Sequence, residues 1–379
     1  MRLVVCCTLL TLVFGGALRA AEKIDAPEKK LAPADLVEQL AHESYTYRER
    51  ARAELERRSF DAQEALEAGL KSDDLEVRYH CERLLTDIRE RDTQRRLDEF
   101  ISEANQDKKY DFPAWTDVRD VLGDSKLTRQ IYVEMYRAES DTLRLVERKD
   151  EALVAHLDAR TRFLQRRTQG LYQAPLGTGN IAALLLAAGT KDTKLSPTGN
   201  SMIYQLCYQQ VFRDAMNSDK APPMRKLLGR YANNTDDQSA YQCMTLMMQF
   251  NMTEEGLACA DRILSGKTAV PHIKQYALLT IAKLGDEKQK DRIRPLLEDK
   301  QVCSQMQMDK VMYKTELRDI ALFSLIHISK QDPKKFGFER FSPNPQMVAN
   351  VHTLGFASDE KRKEAFDSWK KFEEEQGKK

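Results

Sequence analysis

"YTYRERARAEL" (45–55) and "LEVRYHCERLL" (75–85) lie thirty residues apart and share one frame: Arg48 falls on Arg78, Ala51 on Cys81 and Leu55 on Leu85. Offsets of three and seven bring an arginine, a small residue and a leucine onto one side of a helix. The frame returns in "TELRDIALFSLIHI" (315–328) as Arg318, Ala321 and Leu325. A looser copy in "HIKQYALLTIAKLG" (272–285) carries Lys274, Ala277 and Ile281. Shorter apolar-periodic segments precede the first two copies, with Leu36 and Leu40, then Leu66 and Leu70. Ser44 is placed to cap one helix, and Asp73 with Glu76 to form a capping box on the other. Self-similar helix pairs of about 30–45 residues predict stacked pairs, because one pair cannot bury its apolar face alone.

The segment "LEAGLKSDDLEVRYHCERLL" (66–85) resembles the HEAT-repeat pattern: apolar residues in a first helix, an acidic turn, then Val-Arg-x-x-small-x-x-x-Leu. "YTYRERARAEL" and "ELRDIALFSLI" (316–326) resemble its second half, so the resemblance covers about 36–88 and about 260–330. It implies an all-α chain, an armadillo-type α-solenoid of stacked antiparallel helix pairs, irregular in the middle. It also implies that an acid of the turn and the arginine bind one repeat to the next. Asp74 would be that acid for Arg78, whereas Ser44 and Lys314 stand at the equivalent places in the other copies. With "IHISKQDPKKFGF" (326–338) added, the whole is similar to bacterial exported proteins with HEAT-like repeats, most of them without an assigned activity.

The composition fits a soluble, helix-rich protein. Of 379 residues 41% are hydrophobic and 31% charged, and glycine and proline are scarce, with 16 and 12. No convincing run of β-alternating segments is found, which argues against parallel-sheet enzymes. Arg2, the apolar "LVVCCTLLTLVFGGAL" (3–18) and "LRAA" (18–21) make residues 1–20 an expected signal peptide, cut after Ala20. Residues 21–34 are expected to be a flexible tether, and 35–92 an N-terminal HEAT-like repeat pair. An irregular helical region over 93–175, C-terminal helical repeats over 176–345 and a tail with a capping helix over 346–379 follow. That last helix opens at Ser358 and aligns Ala365, Phe366, Trp369 and Phe372. "IAALLLAAGT" (181–190) is too short to span a bilayer and reads as a buried helix.

Chemistry is sparse. The six histidines form no close metal-ligand pair. Gly177-x-Gly179 opens a helix but lacks a preceding strand, and Ala182 stands where a dinucleotide motif has its third glycine. Neither a Walker loop nor a GxSxG elbow occurs. The five cysteines beyond residue 20 form no CxxC; Cys81 reads as a small core residue, and the acids near Cys259 (Glu254, Glu255, Asp261) disfavour a thiolate. The formal charge of +1 gives no basic surplus for nucleic acid. The densest basic group is Arg160, Arg162, Arg166 and Arg167, with Arg160 and Arg167 on one helix side. The methionines of "MTLMMQFNM" (244–252) read as core, and Asn233 and Asn251 stand in glycosylation sequons. The expected function is an exported, periplasmic or secreted, non-catalytic scaffold or adaptor that binds another protein through a solenoid surface. No cofactor, metal, nucleic acid or stable membrane span after signal cleavage is expected. The competing expectation is an all-α hydrolase or lyase whose site gathers scattered acids and histidines.

Overall fold

A computed structural model describes residues 31–102, 108–169, 176–191, 193–266 and 270–376. The expected signal peptide and all of the tether before Leu31 lie outside the described residues. The described chain is mostly helical and divides into two units, at Arg96/Leu97.

The first unit holds α1 (Pro33–Glu38), α2 (Tyr45–Arg58), α3 (Gln63–Gly69) and most of α4 (Leu75–Ile101). Its core gathers Leu36, Val37 and Leu40 with Ala51, Leu55, Leu66, Val77, Cys81, Leu84, Leu85 and Ile88. These are the apolar positions of the repeated frame, so one periodic pattern builds both helix pairs. Close approach is enforced at Gly69, where an added Cβ would stand 2.4 Å from the Cys81 sulfur. The caps differ in detail from expectation. Ser44 takes the N-cap position but its hydroxyl makes no cap bond. Asp74, rather than Asp73, caps α4: its Oδ1 accepts from the Glu76 and Val77 amides at 2.7 and 3.3 Å.

In the second unit α5 (Trp115–Leu122) ends at Gly123, and α6 (Lys126–Arg148) follows. A turn at Lys149 separates α6 from α7 (Leu153–Gln169). Next come α8 (Thr178–Ala188), α9 (Pro197–Leu206), α10 (Gln210–Met216), α11 (Ala221–Asn234), α12 (Asp237–Gln249), α13 (Thr253–Ser265), α14 (Pro271–Leu284) and the short α15 (Lys290–Ile293). Two packing series run through them. In one, α6 packs on α8, α8 on α11 and α11 on α13; in the other, α7 packs on α9, α9 on α12 and α12 on α14. α8 is buried from Gly179 to Ala188, so its apolar sequence needs no amphipathic stripe. Gly179 lets it approach α6: a Cβ there would lie 2.1 Å from the Glu134 carbonyl oxygen.

The sequence concealed two hairpins. β1 (Val302–Met308) and β2 (Val311–Glu316) pair antiparallel through a two-residue turn. β3 (Pro343–Asn344) and β4 (Val348–Ala349) form a smaller one. β2 runs straight into α16 (Leu317–Ile328), which packs on α14, and α17 (Asp359–Gln376) closes the chain against α16. Ala365 and Trp369 of α17 are buried, and Trp369 meets Phe336 edge-on at 5.5 Å. Among the described residues no helix is long and apolar enough to cross a membrane.

Candidate functional site

The repeated arginines occupy joints. Arg48 Nη1 donates to the carbonyls of His42 and Glu43 at 2.8 and 3.0 Å. Arg78 Nη1 donates to the Ser72 carbonyl at 2.5 Å, so each arginine ties the turn six residues before it. Arg48 also reaches into the next copy, with Nε 3.1 Å from Glu76 Oε1. The Asp74 carboxylate is turned to backbone amides and does not pair with the Arg78 guanidinium. Arg318 behaves differently because a strand precedes its helix. Its guanidinium donates to the Glu316 carboxylate at 2.6 Å rather than to an upstream carbonyl. The small and leucine positions Ala51, Cys81, Ala321, Leu55, Leu85 and Leu325 are all buried. The arginines of the first two copies thus hold two turns of the first unit, and Arg318 pairs with an acid at the start of its own helix.

Three features named from sequence do come together, around an acid that was not. Glu139 sits at a non-helical residue inside α6 and is nearly fully buried. Its carboxylate accepts from Arg160 Nε at 3.0 and 2.9 Å, from Asn180 Nδ2 at 2.7 Å and from the Thr142 hydroxyl at 3.2 Å. That hydroxyl also lies 2.8 Å from His156 Nε2. Asn180 belongs to the first turn after Gly177-x-Gly179, so this glycine loop delivers an amide to a carboxylate of the same chain. Both carboxylate oxygens are occupied, which suits a structural node better than a reacting acid. Beyond Arg160, Arg167 also stacks on Phe163, with guanidinium carbons 5.1 and 5.3 Å from the ring centre.

The five described cysteines are free. Burial pushes the Cys81 and Cys259 thiols up to about 11 and Cys303 to about 12, and drives Cys207 and Cys243 upward too. Such thiols are protonated at neutral pH and poor nucleophiles. Among the described residues no group of His, Cys, Asp or Glu has the makings of a metal site.

The surface of the second packing series stands apart. α9, "PTGNSMIYQL", has no charged side chain, and α12 has only Asp237, in its first turn and 3.0 Å from Arg262. α14 adds Lys274, 3.5 Å from Asp299, and Lys283, bound to the Pro345 carbonyl at 2.8 Å. What these helices expose or half-expose is aromatic and amidic. Tyr204 of α9 and Tyr208 of the turn that follows it pack edge to face at 4.8 Å, and Tyr208 is 40% exposed. The Tyr204 hydroxyl lies 3.2 Å from Thr245 Oγ1 of α12. Tyr241 of α12 meets Tyr276 and His272 of α14 at 5.0 and 5.4 Å. Burial raises the Tyr204 and Tyr276 phenols, which stay neutral donors at physiological pH. Gln275 Nε2 lies 3.0 Å from His272 Nδ1, while its buried Oε1 has no hydrogen-bond partner. The opposite series is charged, with Arg225, Lys226 and Arg230 on α11 and Glu254, Glu255 and Asp261 on α13. This tyrosine strip escaped sequence reading because the tyrosines that different helices bring to it are 33 to 72 residues apart; the signal present was the charge-free composition of 197–210 and 238–249.

Comparison with protein-family models, curated proteins and solved structures gives no match to the chain.

Proposed function

We propose that the chain is an exported α-solenoid of HEAT-like helix pairs that acts as a non-catalytic scaffold or adaptor, binding another protein along the faces of α9, α12 and α14. One observation carries the reading: a chain that is 31% charged keeps a tyrosine-rich surface across three successive helices almost free of charge. Protein-binding surfaces are enriched in tyrosine and methionine and depleted of Lys, Glu and Asp at their centre. Tyrosine also contributes a large contact area with few rotors to freeze. The solenoid half of the proposal is supported by the two packing series, in which each helix meets the next of its own series. The hydrolase or lyase alternative has less support, because the Glu139 cluster spends its acid on internal hydrogen bonds.

The test is site-specific photo-crosslinking in the producing cells. A photoreactive residue at Tyr208 or Gln242 is expected to give a discrete adduct of higher mass, and one at Lys226 or Glu254 none. Adducts absent from the strip, or equal on both surfaces, would refute the assignment. Export predicts a mature protein that begins at Ala21 by N-terminal sequencing.

A further inference from the structure

The hairpin beside the strip has a feature that specifies its own ligand. Asp309 and Lys310 both have positive φ (48° and 64°) and close a two-residue turn between Met308 and Val311. In an antiparallel pair, hydrogen-bonded and non-bonded positions alternate. Met308–Val311 is the closing bonded pair, so Met306–Tyr313 is the next, and Gln305 and Gln307 direct their backbone groups away from β2. The partner strand bears this out: Lys314, opposite Gln305, turns outward and exchanges both bonds with Phe356 at 3.1 Å. On β1 no backbone group among the described residues meets the outward N–H and C=O of Gln305 and Gln307. Val302–Met308 carries no charge and no proline, the usual guards of an edge. Met308, Val311 and Met312 add exposed apolar surface at the tip.

The second observation is a cation. Arg340 lies on the hairpin face, its guanidinium carbon 3.9 Å from the centre of the Tyr313 ring and Nη2 3.9 Å from the Met306 sulfur. Its Nη1 is buried without a hydrogen-bond partner, and among the described residues no carboxylate pairs with it. A strand added along β1 would stand about 4.8 Å away and place every second side chain on that face. The residue beside Met306 would then lie next to Arg340.

We propose that β1 accepts an extended segment of a partner protein as a third strand through Gln305 and Gln307, with an Asp or Glu of that segment answering Arg340. The proposal rests on the scaffold reading and names what the scaffold grips. It is tested by selecting random peptides displayed on phage against the full chain, then measuring binding of the recovered peptides by fluorescence anisotropy. Alternating β-branched sequences with one acid are expected. Gln305→Pro, which removes an N–H that the hairpin itself does not use, should weaken them about tenfold or more. Arg340→Gln, which leaves the edge intact, should weaken them and abolish the preference for the acid. Near-ultraviolet circular dichroism shows whether either variant is misfolded, and the Arg340→Gln result stands alone if Gln305→Pro is. Proline-rich or helical binders, binders indifferent to both variants, or a dimer of the chain itself lost in Gln305→Pro would overturn the proposal. If the crosslink at Tyr208 persists while the peptides fail, the edge assignment falls and the scaffold reading stands.

Discussion

Replacing Arg362 by methionine is the sharpest probe of how the chain end is held. Arg362 of α17 is 4% exposed and Asp319 of α16 not at all, with Nε 2.8 Å from Oδ1 and Nη2 3.3 Å from Oδ2. Nη2 also donates to the Lys314 carbonyl at 3.0 Å, Nη1 pairs with Asp359, and Glu316 stands 3.9 Å from Nε. Methionine keeps much of the stem but strands the Asp319 carboxylate. Removing one partner of a buried pair costs about 3–5 kcal/mol, roughly 10 °C of melting midpoint for a unit of this size. Burial, opposed by Arg362, already raises the Asp319 carboxyl to about 6. Its folded value thus lies above its unfolded one, so the stability it contributes is present below about pH 4 and lost as pH rises through about 6. Without the guanidinium, desolvation carries the carboxyl higher still and the variant folds with Asp319 protonated at neutral pH. The deficit of the variant should therefore shrink by about 1.4 kcal/mol between pH 7 and pH 5, one pKa unit's worth. Urea titrations at the two pH values, followed by circular dichroism and by Trp369 fluorescence, read both quantities. A variant within about 0.5 kcal/mol of the parent at pH 7, or one whose deficit grows on acidification, would refute the reasoning.

Four further outcomes follow from the same geometry. Asp319→Asn should flatten the stability change between pH 4 and 6, and chemical denaturation across that range measures it; the opposite trend of Glu316, whose burial is outweighed by Lys314, Arg362 and Arg318 so that its carboxyl is lowered, sets in only as pH falls below its ordinary 4.5. Gly179→Ala drives a Cβ into the Glu134 carbonyl and should cost about 1–3 kcal/mol or more, with α8 displaced from α6, read by thermal melting. Arg78→Ala loses the bond to the Ser72 carbonyl and should cost about 1–3 kcal/mol of melting stability while leaving the Tyr208 crosslink unchanged. The thiols of Cys81, Cys207, Cys243 and Cys259 should resist an aromatic disulfide reagent at pH 7 until the chain is unfolded, with half-buried Cys303 the first to react.

The helix pairs were legible because their information is local. Apolar residues at helical spacing, a small residue where helices cross and a polar turn all fall within thirty residues. Even there the assignment of partners was not. The turn acid Asp74 bonds the nearest amides, which cost less order to reach than a side chain one turn away. Adjacent charges on α16 also diverge: Arg318 faces Glu316, while Asp319 points inward to Arg362, 43 residues on. The hairpin hid for another reason. Its alternation is Gln against Met and its turn is Asp-Lys, so neither β-branched residues nor Asn-Gly announced it. Glu139 hid because its ligands come from three helices, at separations of 3, 21 and 41 residues.

Where the charges go bears on function. Arg48, Arg78, Arg129, Arg160 and Arg362 are all committed to turns or to acids of the same chain. Such commitments lock geometry and leave little to offer a partner, since a paired charge must be unpaired before it can recognise anything. Arg340 differs in kind: it rests on Tyr313 and Met306, with a buried nitrogen unsatisfied, beside an edge whose amides are also unspent. An unsatisfied buried donor costs stability in the isolated chain. It is tolerated where binding relieves it, and the relief then appears as affinity and as preference for an acid. The same logic extends to the buried Gln275 acceptor among the tyrosines, so partner contact is predicted to raise stability more in the parent than in a Gln275→Leu variant, as melting with and without the partner that crosslinks at Tyr208 would record.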